Sequence, residues 1–528
     1  MPSRLSRRCA VAFGLLLLAH PAAAQGFRSP DSTFQRLWQA GIEQSQLEGL
    51  AQVLIDSIGP RLSGSPGFSS AVDWLERTYQ RFGIPVRRER YGTWRGWQMG
   101  TVHMQLVAPR VQNLEVELLA WSPPTPNGKP VEGDVVVIPH LADSSAVGQW
   151  LQTLRGKFIL ISPPEVMCRA PQELERNARA STITKLNAQR AEMVRLSNER
   201  WTSLAPAGVA PEQRFAATMA RLEAAGVIGI GTLTWSNGWG VNKIFGAMSD
   251  KVPSVDLSCE DYGLLHRLAS NNQGPRVRLL AESQATPAEV PMFNVIAELK
   301  GTELPNEYVV LSAHLDSWHG ANGATDNGTG TLTRLEAMRL LKQAYPNPRR
   351  TIIAGHWGGE EQGGIGSLSF NEDHKDIIDG LQVAFNQDNG TWRVEILEGQ
   401  GFLKASSNLA RWVAQLPSEL TDSVRLQLPG PQANAGSDHT SFLCRGAPAF
   451  RLQSSYPEYR QYTWHTNRDT YDKIVFDDLK RNATMAAMLA YAASEDRERT
   501  DRTQAVLVNP NGSTRPWPQC RPAKRSYR

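Results

Sequence analysis

The chain has 528 residues, 41% hydrophobic and 20% charged, the profile of an ordinary globular protein long enough for two or three domains. Its formal charge is +4, but Arg4, Arg7 and Arg8 fall in a leader, and without those three the balance is +1. No stripe of Lys and Arg runs through the rest, which argues against a nucleic-acid surface, and no later stretch keeps the ~20 apolar residues of a membrane span.

The N-terminus, MPSRLSRRCAVAFGLLLLAHPAAAQG, has a basic start, an apolar run from Ala10 to Ala19, and small residues at Ala22 and Ala24. That layout predicts a signal peptide over 1–24 and a periplasmic or secreted protein. The pair Arg7-Arg8 hints at twin-arginine export, but the residues after it fit that route poorly. Cys9 leaves with the leader. Cys168, Cys259, Cys444 and Cys520 remain, too irregularly spaced for a cysteine-bound zinc and free to form one or two disulfides whose pairing stays open.

Residues 25–124 read as helices around the loop GPRLSGSPG, followed by short strands. The helix SSAVDWLERTYQRFG stops at Gly83. The texture then changes, and 125–288 reads as an inserted α/β unit. VEGDVVVIP and LRGKFILIS are buried-strand candidates, 170–225 is helix-friendly, ARLEAAGVIGIGTL feeds a helix into a strand, and VPSVDLSCEDYGLLHRLA closes the unit. Over 289–504 strands and amphipathic helices alternate: EYVVLSAHLD, GTLTRLEAMRLLKQA, RRTIIAGHWGGEE, LQVAFNQDNG. This predicts an α/β fold with a mixed, mostly parallel sheet flanked by helices. The tail, 505–528, is rich in Pro, Arg and Asn and is expected to be peripheral.

Each strand of the last section runs into metal-capable groups: YVVLSA into His314 and Asp316, TIIAGHWGG into Glu360 and Glu361, LQVAFNQ into Asp388. Asp326 sits in a glycine-flanked turn, and His465 precedes the final helix. In such sheets ligands bind beyond the carboxyl ends of the strands. Zinc takes imidazole and carboxylate ligands and leaves a position open for catalysis, and two zinc ions ~3.5–4 Å apart can act together on one carbonyl. Asp326 can bridge, with His314 and Asp388 on one ion and Glu361 and His465 on the other. Catalytic duty falls to Glu360, as general base, and to Asp316, which suits a hydrogen bond fixing the His314 imidazole.

HLDSW…GATDNGTG, HWGGEEQGGIGS, FNQDNG and WHTNRDT resemble the co-catalytic di-zinc exopeptidase family, and GPRLSGS, HLDSW and EEQGG resemble its carboxypeptidase Q (plasma glutamate carboxypeptidase) subgroup. The resemblance spans roughly 40–495, including a middle unit similar to a protease-associated domain. It implies His314, Asp326, Glu361, Asp388 and His465 as ligands of two zinc ions, and Glu360 as base to a metal-bridging hydroxide. The activity implied is that of an aminopeptidase or dipeptidase on short peptides, with a homodimer left open. Two departures bear on substrate choice: 170–225 is long and helical, and Asn327 stands where relatives carry a second acidic residue.

Weighed singly, these residues are ordinary. A lone His at a strand end is more often structural than a ligand, and Glu360-Glu361 alone is a solvated turn; only the joint pattern makes a site. His319 and His356 have no vacant role. SDHTSF offers Asp438 and His439, but a helix start capped by Ser437 is the preferred reading. Gly323, Gly328 and Gly330 are assigned to tight turns, and Trp94, Trp97 and Trp318 to core packing. Sequons at Asn327 and Asn389 adjoin proposed ligands, so no glycan is expected there. Two alternatives keep the fold: a glutaminyl cyclase-like acyltransferase with fewer metals, and a non-catalytic binding protein like the transferrin receptor ectodomain.

Overall fold

The computed structural model describes residues 27, 29–388, 391–432, 436–454, 458–509 and 511–527; the leader expected at 1–24 and the sequon at Asn389 lie outside them. The main sheet is built on four neighbouring strands, in the order Ala449–Ser454, Leu381–Asn386, Leu304–His314, Arg350–Trp357, all parallel. Leu381–Asn386 and Arg350–Trp357 are buried along their whole length, as a parallel sheet covered on both faces demands. Antiparallel strands complete it, Val394–Glu398 beside Ala449–Ser454 and Arg276–Leu299 beside Arg350–Trp357. The helices Thr329–Ala344 and Phe476–Glu495 pack on each other and on these strands. The first is buried along nearly its whole length, so its sequence carries little amphipathic pattern.

Because the central strands are parallel, His314, the Glu360-Glu361 turn beyond Trp357, and Asp388 beyond Asn386 emerge at one edge of the sheet. The mixed, mostly parallel α/β fold expected from the alternation is the fold observed.

Arg276–Leu299 and Val86–Ala108 form a long antiparallel ribbon leading away from the main sheet. It carries a second sheet with parallel neighbours Val131–Val137, Phe158–Leu160, Gly229–Thr232 and Ser254–Leu257. Val116–Leu118, ahead of residue 125, pairs antiparallel at its edge. Ile159, Leu222, Ile230 and others form a small core on one side of it, while Val135, Phe158, Leu160, Val255 and Leu257 join the large core that continues under the main sheet. The helix Ala180–Leu204 buries little but Leu204. Cys168 is bonded to Cys259, and Cys444 to Cys520.

The tail stays at the surface, none of its described residues being buried, but it is anchored. Thr93 N donates to the Arg525 carbonyl at 2.8 Å, Arg525 pairs with Glu372 and Asp373 at 3.0 and 2.8 Å, and Tyr527 packs edge-on against Trp94. Composition gave no sign of this, because the tail is anchored by charge pairs and a disulfide rather than by an apolar stripe.

Candidate metal centre

Five of the expected side chains meet at the sheet edge. His314 Nε2 lies 3.2 Å from Asp388 Oδ1 and 3.5 Å from Asp326 Oδ1. His465 Nε2 lies 3.4 Å from Asp326 Oδ2 and 2.9 Å from Glu361 Oε2. Each oxygen of Asp326 thus faces a different imidazole. Among the described residues two groups could hold a metal ion, His314-Asp326-Asp388 and Asp326-Glu361-His465, and they share Asp326.

The electrostatics call for cations. Three carboxylates converge in a largely buried place, where an uncompensated charge costs far more than in water. Asp326 Oδ2 and Glu361 Oε1 are buried without a hydrogen-bond partner. Burial, with Asp326 and other carboxylates nearby, pushes Glu361 well up. Burial would lower His314, but Asp388, Asp316 and Asp326 outweigh it and raise the imidazole well above its usual range. His465, where burial prevails, is lowered to about 4. A donor set of imidazole nitrogen and carboxylate oxygen fits zinc.

Backbone clamps hold the donors in place. Asp316 is fully buried, and its carboxylate accepts from the amides of Glu360 and Glu361 at 3.1 and 3.2 Å. The bond that fixes His314 comes instead from the Asp316 main-chain carbonyl, 3.0 Å from Nδ1, the carboxylate being 3.7 Å away. Asp469, which sequence reasoning did not single out, does for Asp326 what Asp316 does for the Glu pair: it accepts from Thr325 N and Asp326 N at 2.7 and 2.9 Å. Its place inside WHTNRDT was the available signal. Arg61, in GPRLSGSPG, is fully buried and donates to the carbonyls of Gly59, Leu315, Asn322 and Gly323. It ties the first loop of the chain to the segment leading into Asp326.

The segment from Asn242 to Phe245 holds the His465 loop. Ile244 N donates to the His465 carbonyl at 2.7 Å, Asn467 N to that of Asn242 at 3.1 Å, and Lys243 Nζ to that of Trp464 at 2.7 Å. Phe245 packs edge-on against the His465 ring. His465 has φ +57°, a conformation that persists for a non-glycine residue only where its surroundings impose it.

Trp318, assigned to the core, belongs here: its Nε1 donates to Glu361 Oε2 at 2.8 Å. His356 and His319 stay outside the cluster, on Tyr79 Oη and the Leu118 carbonyl. Of the three glycines assigned to turns, only Gly323 has a positive φ, +59°. Gly330 is helical and is needed for closeness, since a Cβ there would lie 2.2 Å from Asn327 Oδ1. Ser437 does not cap the short helix His439–Leu443; Asp438 occupies the cap position and makes no capping bond. Burial raises the Asp438 carboxyl to about 7 against the pull of His314.

Residues 294–490 match the model of Peptidase family M28, and they contain all five converging side chains. The segment that matches this family thus carries the whole candidate centre, and the match supports a co-catalytic zinc exopeptidase. The peptidase is 25% identical to carboxypeptidase Q of Rattus norvegicus over 459 residues, 85% of this chain and 86% of that one. It is 32% identical to leucine aminopeptidase 1 of Ajellomyces dermatitidis over 222 residues, 38% of this chain and 55% of the other. In fold it is similar to a peptidase M28 precursor from Shewanella amazonensis (TM-score 0.65, 23% identity, 89% and 98% of the two chains). It is also similar in fold to a zinc aminopeptidase from Bacillus subtilis (TM-score 0.54, 17% identity, 87% and 96%). The peptidase is a metallo-exopeptidase, and zinc is the metal its family implies.

Proposed function

We propose that this chain is an exported aminopeptidase or dipeptidase that trims short peptides, with two zinc ions held by His314, Asp326, Glu361, Asp388 and His465. The observation that carries the assignment is the placement of the two Asp326 oxygens, one toward each imidazole. A single-metal site would have no use for that symmetry. When bound, zinc supplies Lewis acidity that polarises the scissile carbonyl and acidifies water.

Glu360 is the proton carrier. Its carboxyl is pushed well up by burial and by Asp388, Asp438 and Glu361, with His314 opposing. A carboxyl held at this edge can take a proton from water and return it to the departing amine. Asp316 holds the amides of Glu360 and Glu361 together, so the base and one proposed ligand share a fixed backbone. Trp318 steadies the other end of Glu361. Export is supported by two disulfides, bonds that persist in oxidising compartments. Among the described residues no helix is long and apolar enough to cross a membrane.

The test is a digest of a peptide library read by mass spectrometry, before and after chelation, with zinc counted in the purified protein. Loss of single terminal residues, abolished by chelation and restored by zinc at two ions per chain, is the expected result. Trimming that survives complete removal of metal refutes the proposal.

A further inference from the structure

Beside Glu360 lies a cavity of about 180 Å³ that the proposed chemistry does not use. One wall is the turn Gly363-Gly364 with Ser367, a second is the SDHTSF stretch, and the third is the tail from Pro518 to Arg521, held there by the Cys444–Cys520 bond. An engineered cavity of ~150 Å³ takes up benzene, so this one has room for a single terminus or side chain.

The donors and acceptors of the walls are lopsided. Ser367 Oγ donates to the Gly364 carbonyl, Thr440 Oγ1 to that of Ser437, and Ser441 Oγ to that of Asp438. Ser437 gives its proton toward Asp388 and accepts from Asn386 Nδ2. With their protons committed, the hydroxyls present lone pairs to the cavity. Asp438 is 1% exposed, and neither carboxylate oxygen receives a hydrogen bond of normal geometry; the Ser367 hydroxyl, near enough to favour its charged form, is its one weak donor on the wall. The one cation on the wall, Arg521, is exposed at the mouth. A buried carboxylate without a partner is costly unless a ligand supplies the donor. The group that fits has donors and no acceptor, and that is an ammonium.

We propose that this cavity is a subsite for a cationic group of the substrate, with Asp438 as the residue that binds a substrate ammonium. The inference rests on the exopeptidase reading and deepens it. The ammonium has two sources, the free amino terminus or a lysine side chain. A bound amino terminus sits beside Glu360 with the first peptide bond presented to the proposed base, whereas a bound lysine ammonium sets the backbone one side-chain length away.

The test separates the sources and does not depend on turnover. Binding of lysinamide, norleucinamide and N-acetyl-norleucinamide to the zinc-loaded protein is measured by calorimetry for wild type and Asp438→Asn, with Asp438→Ser as a second variant should the first fold poorly. If the terminus is bound, wild type prefers norleucinamide over its acetylated form by at least tenfold, and the preference collapses in the variants. If the side chain is bound, the preference that collapses is lysinamide over norleucinamide. On peptides of the same series the variants raise KM at least tenfold with a smaller change in kcat, a split that loss of structure would not produce. Unchanged preferences in both variants, with zinc content and melting temperature intact, overturn the proposal. Absence of peptide cleavage by wild type would instead sink the exopeptidase reading, while the calorimetry still reports on Asp438.

Discussion

Replacing Arg61 with Lys removes a guanidinium that spans two loops. Its Nε donates to the Leu315 carbonyl at 2.7 Å, Nη1 to Gly59 and Asn322 at 3.0 and 2.8 Å, and Nη2 to Gly323 at 2.7 Å. Burial lowers its pKa to about 10, with Asp469 and Asp316 opposing, so the charge persists at neutral pH. A lysine ammonium is a compact donor and cannot reach carbonyls on both sides of the fork. With two of the four carbonyls left buried and unpaired at about 1–3 kcal/mol each, the loss is about 2–6 kcal/mol. At ~2–4 °C per kcal/mol for a domain of a few hundred residues, the melting temperature falls by about 4 °C or more. Because these carbonyls lie on the approach to Asp326, affinity for zinc also drops by about 10–100-fold, the usual effect of removing a residue that orients ligands. Scanning calorimetry at a fixed rate and competition with a chromophoric chelator measure the two. A melting temperature within about 1 °C of wild type, with zinc affinity unchanged, would refute this account of GPRLSGS.

Glu360→Gln keeps its zinc but loses about 10²–10⁴ in kcat, the span attributed to general acid–base catalysis; metal analysis beside a dipeptide assay decides it. Removing the metal leaves Asp326, Glu361 and Asp388 facing one another uncompensated, so the chelated protein should melt lower than the zinc-loaded one, and more so at low salt. On the strand Ser254–Leu257, burial raises Asp256 from its ordinary 3.8 to about 8. Folding there favours the protonated acid, so the contribution is full below pH ~4 and is lost as pH rises toward about 8. Asp256→Asn should flatten the decline in melting temperature over that range, and an equally steep decline in the variant would remove Asp256 as its cause. Opening the Cys168–Cys259 bond, which closes a separation of 91 residues, should cost about 2–5 kcal/mol, read as a lower midpoint in urea for the Cys168→Ser, Cys259→Ser pair.

The sheet edge was legible because a parallel strand announces itself twice, by an unbroken apolar run and by the polar residue that ends it. YVVLSAH and LQVAFNQD show both marks, so His314 and Asp388 could be placed beside each other before any coordinates. What could not be read was which atom of a residue acts. The spacing of His314 and Asp316 suggested a carboxylate on an imidazole. The chain instead turns so that the main-chain carbonyl takes that place and the carboxylate is free to grip two amides. Ser437 looked like a cap because its neighbours form a helix, yet its hydroxyl is engaged by Asn386, 51 positions upstream, and no local pattern reports such a contact. The anchoring of the tail was hidden for a related reason: Cys444, Glu372 and Asp373 hold it from afar, and charge pairs leave no periodicity in sequence.

His465 has a consequence for how the molecule is made. Its loop is gripped by Asn242 to Phe245, synthesised some two hundred residues sooner, and the remaining donors come from strands translated in between. A nascent chain therefore carries an inert, half-built edge for most of its time on the ribosome. Any product truncated before residue 465 lacks one of the two imidazoles, and on the proposed ligand set it could not hold the second metal.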